Sequence, residues 1–271
     1  MSEAIDGSSP SSTARFDSGV PHPARVEDYW LGGKDNFAAD RAVADQVAKI
    51  SPVLPIVMRA ERQFLGRMVK FLAGEAGIRQ FLDIGTGIPM AANTHEVAQG
   101  VSPDCRVVYV DNDPLVLAHA RALLVGTPEG LTQYIDADLR EPEAILTPAR
   151  QILDFDQPVA VTLLGVLEFV RDDEGVYAIV EQLRNALPVG SYVGVASSVP
   201  SPEMDEAARL WNESGATPIT LRAPDDLARF LDGLDLIAPG VVPLPQWRPD
   251  SLTQYLDREM PQYGGLGIKT R

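Results

Sequence analysis

The sequence predicts an α/β fold on a mostly parallel, doubly wound sheet with helices on both faces. Three observations support this. Strand-like and helix-like segments alternate five times between residues 78 and 197. Parallel strands need a crossover, usually a helix, so this alternation implies a parallel sheet. A glycine-bearing turn, Gly85-Thr86-Gly87, follows the first strand directly. The composition is that of an ordinary globular chain, 45% hydrophobic and 23% charged over 271 residues, which is enough to bury a substantial core.

The elements follow in order. Residues 1–20 are expected as a disordered tail, since the first 15 lack the basic and apolar regions of a signal peptide. Residues 21–77 read as an N-terminal helical cap. A short helix runs from Arg25 to Leu31 and ends at Gly32-Gly33, and a second runs from Phe37 to Ile50. A long amphipathic helix carries Ile56, Ala60, Phe64, Met68 and Leu72 at helical spacing. Residues 78–271 read as the sheet domain. Arg79 to Ile84 is its first strand and Ala91 to Gln99 a helix. Arg106 to Val110 is a Val-rich buried strand. Pro114 to Leu124 is a helix capped by Asp113 with Pro114 at its first position. Leu131 to Ile135 is a third strand. Glu141 to Leu153 is a helix weakened by Pro148. Val159 to Leu164 is a fourth strand, Asp173 to Leu187 a helix and Ser191 to Ala196 a fifth strand. Helices near 202–214 and 224–232 precede a sixth strand over Leu234–Val242, and Gly267 to Thr270 supplies a last, edge strand.

Composition narrows the function. The formal net charge is -15, so phosphate backbones and anionic lipid are poor partners. No stretch is long and apolar enough for a transmembrane helix, and the expected location is cytoplasmic. The single cysteine, Cys105, excludes an intramolecular disulfide and Cys-rich zinc sites, and it reads as a packing residue. His22, His95 and His119 lack ligand spacing, so no metal site is expected.

Three segments carry candidate chemistry. Asp83-Ile84-Gly85-Thr86-Gly87 joins a strand to a helix, where glycines let the backbone approach a ligand. A dinucleotide fingerprint would place a third glycine at Met90, so that pattern is broken. On these residues alone a bare structural turn stays open. Asp111, at the end of the second strand, is placed to accept both hydroxyls of an adenosine ribose. Asp138, at the end of the third, is placed to accept from an adenine amino group, with Leu139 as an apolar wall. Three acidic groups on one rim suit an uncharged nucleoside on a cationic ligand better than a phosphorylated dinucleotide.

These three segments resemble motifs of class I S-adenosylmethionine-dependent methyltransferases. Arg25-Val26-Glu27-Asp28-Tyr29-Trp30-Leu31-Gly32-Gly33-Lys34-Asp35-Asn36-Phe37 is similar to the N-terminal signature of one bacterial, mainly actinobacterial, family of them, formerly a domain of unknown function. Asn93-Thr94-His95-Glu96-Val97-Ala98-Gln99, Pro239-Gly240-Val241-Val242-Pro243 and Trp247-Arg248-Pro249 also match it. The resemblance covers residues 21–271. It implies a Rossmann-like, seven-stranded sheet with an N-terminal helical lid, S-adenosylmethionine as cofactor, and methyl transfer to a small molecule. By the same resemblance Gly85, Thr86 and Gly87 would face the methionine part and Asp83 its amino group. Asp111 would hold the ribose. Asn112, Asp138 and Leu139 would hold the adenine, with Leu164 and Gly165 completing the cofactor set. Arg25, Tyr29, Gly32, Gly33, Asn36 and Phe37 would form a lid over cofactor or substrate.

One position departs from that pattern. The family's usual histidine is here Glu168, which would need a raised pKa to act as a base near neutral pH. A solvated or helix-capping role for Glu168 is the alternative. Two other functions stay open at this level: a non-catalytic adenosyl-ligand sensor, and a nicotinamide-dependent oxidoreductase, against which the broken glycine pattern and Asp83 both argue.

Overall fold

A computed structural model describes residues 17–123 and 125–271; the expected tail over 1–20 lies mostly outside them. Three helices come first: α1 (Pro23–Leu31), α2 (Ala38–Ile50) and α3 (Leu54–Lys70). Then strands and helices alternate. β1 (Gln80–Ile84), α4 (Thr94–Val101), β2 (Arg106–Asp111), α5 (Pro114–Leu123), β3 (Leu131–Asp136) and α6 (Pro142–Ile152) form the first half. β4 (Ala160–Leu164), α7 (Val176–Ala186) and β5 (Tyr192–Ser198) follow. The chain ends with α8 (Pro202–Glu213), α9 (Pro224–Ala228), β6 (Asp235–Leu236), β7 (Val242–Pro243) and β8 (Gln262–Ile268).

The sheet order is β3-β2-β1-β4-β5-β8-β6, with β7 also on β8. The first five strands are parallel, and β8 runs antiparallel to β5 over its whole length. The chain winds outward from β1 to β3, returns, and starts again at β4. The crevice for a ligand in such a sheet lies over the carboxyl ends of the strands where this reversal occurs, here between β1 and β4.

Alternation along the buried strands sends neighbouring side chains to opposite faces. Leu82, Val108 and Val161 pack under α6 and α7, while Phe81, Val107 and Tyr109 pack under α3 and α4. Phe64 and Trp247, both fully buried, meet edge to face at 5.4 Å and close the second layer. A third cluster joins α1, α2 and α8 through Val26, Val43, Val47, Met204 and Trp211, and this sets helices from the two ends of the chain over the same rim.

The sequence expectations differ from the structure at several points. Among the described residues the sheet has eight strands rather than seven. The expected sixth strand over Leu234–Val242 is two short pieces, β6 and β7, both paired to β8. Between them Pro239 has no N–H to give a ladder. The expected edge strand at Gly267–Thr270 is instead the seven-residue β8, which lies inside the sheet. Its glycines hide it from propensity reasoning, but a Cβ on Gly264 would meet Leu244 and Phe64 at 2.8 Å, so only glycine lets the strand pass. Helix α4 starts at Thr94 rather than Ala91, because Glu96 reaches back to the Asn93 N–H at 2.8 Å and fixes the start there. Asp113 caps α5 as read, accepting the Leu115 N–H at 2.8 Å. Cys105 is buried, and burial pushes its thiol up to about 11, so it stays a packing thiol. Among the described residues no helix is long and apolar enough to cross a membrane.

Candidate active site

The turn after β1 is tied to β2. Gly85 N donates to Val110 O at 2.8 Å, and Thr86 Oγ1 shares a hydrogen bond of 2.6 Å with the Tyr134 hydroxyl. Gly85 sits at φ 75°, and a Cβ there would run into the side chain of Val166 at the end of β4. Glycine therefore lets the β1 and β4 ends close on each other at the switch point. Asp83 lies beneath the turn. Its two oxygens accept the Thr94 and Thr162 hydroxyls at 2.6 Å each. Burial raises its proton affinity, and those two bonds offset part of the rise.

Asp111 supports the same turn from β2. Its Oδ2 accepts the Gly87 N–H at 3.0 Å and its Oδ1 accepts the Asp113 N–H at 2.9 Å. A carboxylate oxygen has two lone pairs, so each keeps one for a ligand hydroxyl. Asn112 and Asp138 do not stand apart. Asn112 Nδ2 donates to Asp138 Oδ2 at 2.8 Å, and Arg140 N donates to Asp138 Oδ1 at 2.8 Å. Asn112, Asp138 and Leu139 line one end of a crevice, and Gly85, Thr86 and Gly87 line its middle.

Leu164 and Gly165 form the β4 side of that crevice. Gly165 is at φ 62°, and a Cβ on it would come within 2.9 Å of Glu61 Oε1. Here a second, more apolar chamber opens under α1, α3 and α8. Pro23, Glu27, Glu61, Gly165 and Phe169 belong to both linings, so the two spaces share a wall.

Glu168 faces this second chamber. It sits in the 3-10 turn Leu167–Phe169, is buried, and accepts from Ser197 Oγ (3.0 Å), Ser198 N (3.1 Å) and Ser198 Oγ (3.2 Å). Neither a solvated nor a helix-capping role fits that placement, since Gly175 stands at the start of α7. Burial raises its proton affinity, partly offset by those three donors. Arg222 holds the turn in place by donating to Leu167 O and Val170 O at 2.8 and 2.7 Å.

The N-terminal segment divides. Among the described residues, Tyr29, Gly32, Gly33, Asn36 and Phe37 line neither space. Tyr29 donates to Asp45 at 3.0 Å, Gly32 ends α1, and Asp28 gathers Asn36 Nδ2 and Asp35 N at 2.7 and 2.9 Å beside Gly33. The Arg25 guanidinium lies 5.7 Å from the centre of the Phe37 ring, and Arg25 and His22 approach Asp113 Oδ2 at 3.6 and 3.0 Å, which moors α1 to the rim. The same helix sends Pro23, Glu27 and Trp30 inward. Sequence reasoning assigned no role to Glu27, Glu61, Arg62 or Gln262. The available signal for Glu61 was a charge one residue from the apolar stripe of α3.

Glu61 gives a prediction that reads the buried charges directly. Burial first, then the negative charges of Glu27 and Glu168, hold its carboxyl well above the usual range, and Gln262 and Arg62 offset part of this. The folded chain therefore holds more protons than the unfolded one above the ordinary carboxylate pKa. The stability this contributes is present at low pH and lost as pH rises through the raised value. Glu61→Gln is neutral and isosteric. By calorimetric melting it should change the midpoint less at pH 5 than at pH 8, where it should raise it by roughly 2–4 °C for each kcal/mol relieved.

The crevice fits an adenosyl cofactor. Its rim offers acceptors for hydroxyl and amino groups, its turn is built close by glycine, and it carries no phosphate-binding glycine triplet. Comparison with known proteins points the same way. The family described as S-adenosyl methyltransferase matches residues 9–270. A crystal structure of a DUF574 family protein from Streptomyces avermitilis is 42% identical, with a TM-score of 0.90 over 94% of this chain and 100% of that one. A structure from Thermobifida fusca is 43% identical, with a TM-score of 0.85 over 93% of this chain and 96% of that one. A SAM-dependent methyltransferase from Anabaena variabilis shares the fold alone, at 11% identity and a TM-score of 0.51 over 91% of this chain and 94% of that one. No curated protein matches the chain.

Proposed function

The chain belongs to the S-adenosyl methyltransferase family and is an S-adenosylmethionine-dependent enzyme; from that premise we propose that the cofactor lies in the crevice over β1 and that a small molecule in the adjoining chamber is methylated. The shared wall of the two spaces, Glu27, Glu61, Gly165 and Phe169 with Pro23, carries this reading, because methyl transfer needs donor and acceptor in line across one opening. The sulfonium supplies an already activated methyl group, so the chain's task is alignment and exclusion of water.

In this assignment Asp111 holds the ribose, Asn112, Asp138 and Leu139 border the adenine, and Gly85, Thr86 and Gly87 run beside the methionine part. Asp83 supports that turn through Thr94 and Thr162 and faces the amino group. Leu164 and Gly165 lie at the transferring end. Arg62, whose Nη2 donates to the 91–92 carbonyls at 3.2 Å, is the cation placed for the cofactor carboxylate. Glu168 belongs to the acceptor side. Residues 21–77 act as a cap whose inward groups come from α1 and α3, over a sheet domain of 78–271. Net charge of -15 supports a small acceptor over nucleic acid, and the buried lone thiol suits a cytoplasmic enzyme.

Filling the chamber tests this. Ala208 lines it and not the crevice. Ala208→Phe is expected to keep cofactor affinity within about twofold and a cooperative melt, since overpacking costs only roughly 1–3 kcal/mol. S-adenosylhomocysteine release with a broad metabolite mixture should disappear. Persistent release at the parent rate would place the acceptor elsewhere.

A further inference from the structure

The second chamber has one chemical character on its walls and another at its mouth. Its walls are Trp30, Met58, Phe169, Met204 and Trp211. Both indole N–H groups are turned away to backbone carbonyls, Trp30 to Ala44 O at 3.3 Å and Trp211 to Thr217 O at 2.8 Å, so these two rings offer the chamber carbon surface. Its polar groups are Glu27, Glu61, Glu168, Ser198 and Gln262, and among the described residues no Lys, Arg or His lines it. An anionic acceptor would meet three acidic groups, and the cations that act on them, Arg62 and Arg222, stand outside the chamber lining. A neutral one would do nothing to offset the burial of these three groups in a poorly hydrated space.

One further atom points to a donor. Gln262 is fully buried, and its Nε2 donates to Glu61 Oε2. That orientation leaves Gln262 Oε1 without a hydrogen-bond partner among the described residues. A buried carbonyl oxygen without a partner has lost its water and gained nothing in return, so a ligand N–H at that spot is favoured.

We infer that the acceptor is an amine carrying an apolar aromatic group, bound as its ammonium among Glu27, Glu61 and Glu168 with Gln262 Oε1 taking an N–H, and that the methyl goes to its nitrogen. This rests on the chamber being the acceptor site. Ammonium against aromatic faces is favourable in itself, and the charge replaces a counter-ion that the walls lack. For transfer, the ammonium gives one proton to a carboxylate of the cluster. Burial raises the proton affinity of all three, which makes them competent to take it. The freed nitrogen lone pair forms the N–C bond as the C–S bond breaks, with that electron pair staying on sulfur. The product is a methylammonium, and the carboxyl proton returns to water.

The test uses the full chain saturated with S-adenosylhomocysteine and a panel of one- and two-ring arylalkyl amines, starting with 2-phenylethylamine. Each amine is titrated by calorimetry beside its alcohol and carboxylic acid counterparts. At least one amine is expected to bind about tenfold or more tighter than its alcohol, the value of one charge-assisted hydrogen bond, and to yield N-methyl product by mass spectrometry with S-adenosylmethionine. Glu168→Gln and Glu27→Gln should each remove most of that preference while alcohol binding, which reports the folded chamber, stays put. The inference is overturned if no amine binds, if an alcohol or acid binds as well as its amine, or if the preference survives both substitutions. Failure of the parent chain to bind S-adenosylhomocysteine would strike the underlying site assignment and the inference with it.

Discussion

Asp111→Ala is expected to weaken S-adenosylmethionine binding by roughly 100-fold or more, as titration calorimetry would show, because hydrogen bonds to a charged group are worth about 1.5–3 kcal/mol each. The side chain does two things at once. It offers a free lone pair on each oxygen to the ribose, and it holds the Gly87 and Asp113 amides that shape the rim. Alanine loses both. Asp111→Asn separates them, since its amide oxygen still accepts one backbone N–H while its NH2 cannot accept the other. It should fall between parent and alanine. An alanine variant that binds within about threefold of the parent would remove Asp111 from the cofactor site.

Gly85→Ala is the second large effect. A left-handed backbone costs a non-glycine residue about 1–2 kcal/mol, and the new methyl would also overlap Val166. Val166 is part of the crevice wall, so its displacement carries the damage to the ligand. Cofactor affinity is expected to drop roughly tenfold or more, alongside a lower melting temperature. Adding Val166→Gly in the same chain removes the colliding Cβ together with its methyl groups and should restore part of the affinity. If the double variant binds no better than the single one, backbone strain and not the Val166 contact sets the requirement for glycine.

The rim of the site was legible because it lies at strand ends, where a local pattern decides position. Asp83 and Asp111 each close a short apolar run, Asp138 follows the third strand by two residues, and parallel pairing brings these strand ends to one rim. The acceptor side was not legible. Glu27 and Glu61 sit on helices, outside any strand-end pattern, and Gln262 sits in a strand whose glycines masked it. These three meet only because α1, α3 and β8 are packed over one opening, which no local spacing encodes. Glu168 lies between these cases. Its place after β4 marked it as a rim residue, yet its buried state depends on Ser197 and Ser198 of the neighbouring strand. The N-terminal signature was legible as a unit, but most of its conspicuous residues serve the packing of α1 on α2, and Glu27 in its middle faces the opening.

The claim at the centre is that the cofactor occupies the crevice at the β1–β4 reversal, with its transferring end toward the shared wall. A crystal structure of the chain with S-adenosylhomocysteine tests this most directly. The expected result is ribose hydroxyls on Asp111, adenine beside Asn112, Asp138 and Leu139, and the sulfur next to Gly165 with nothing between it and the second chamber. A ligand bound with its sulfur turned away from Gly165, or bound outside this crevice, would contradict it.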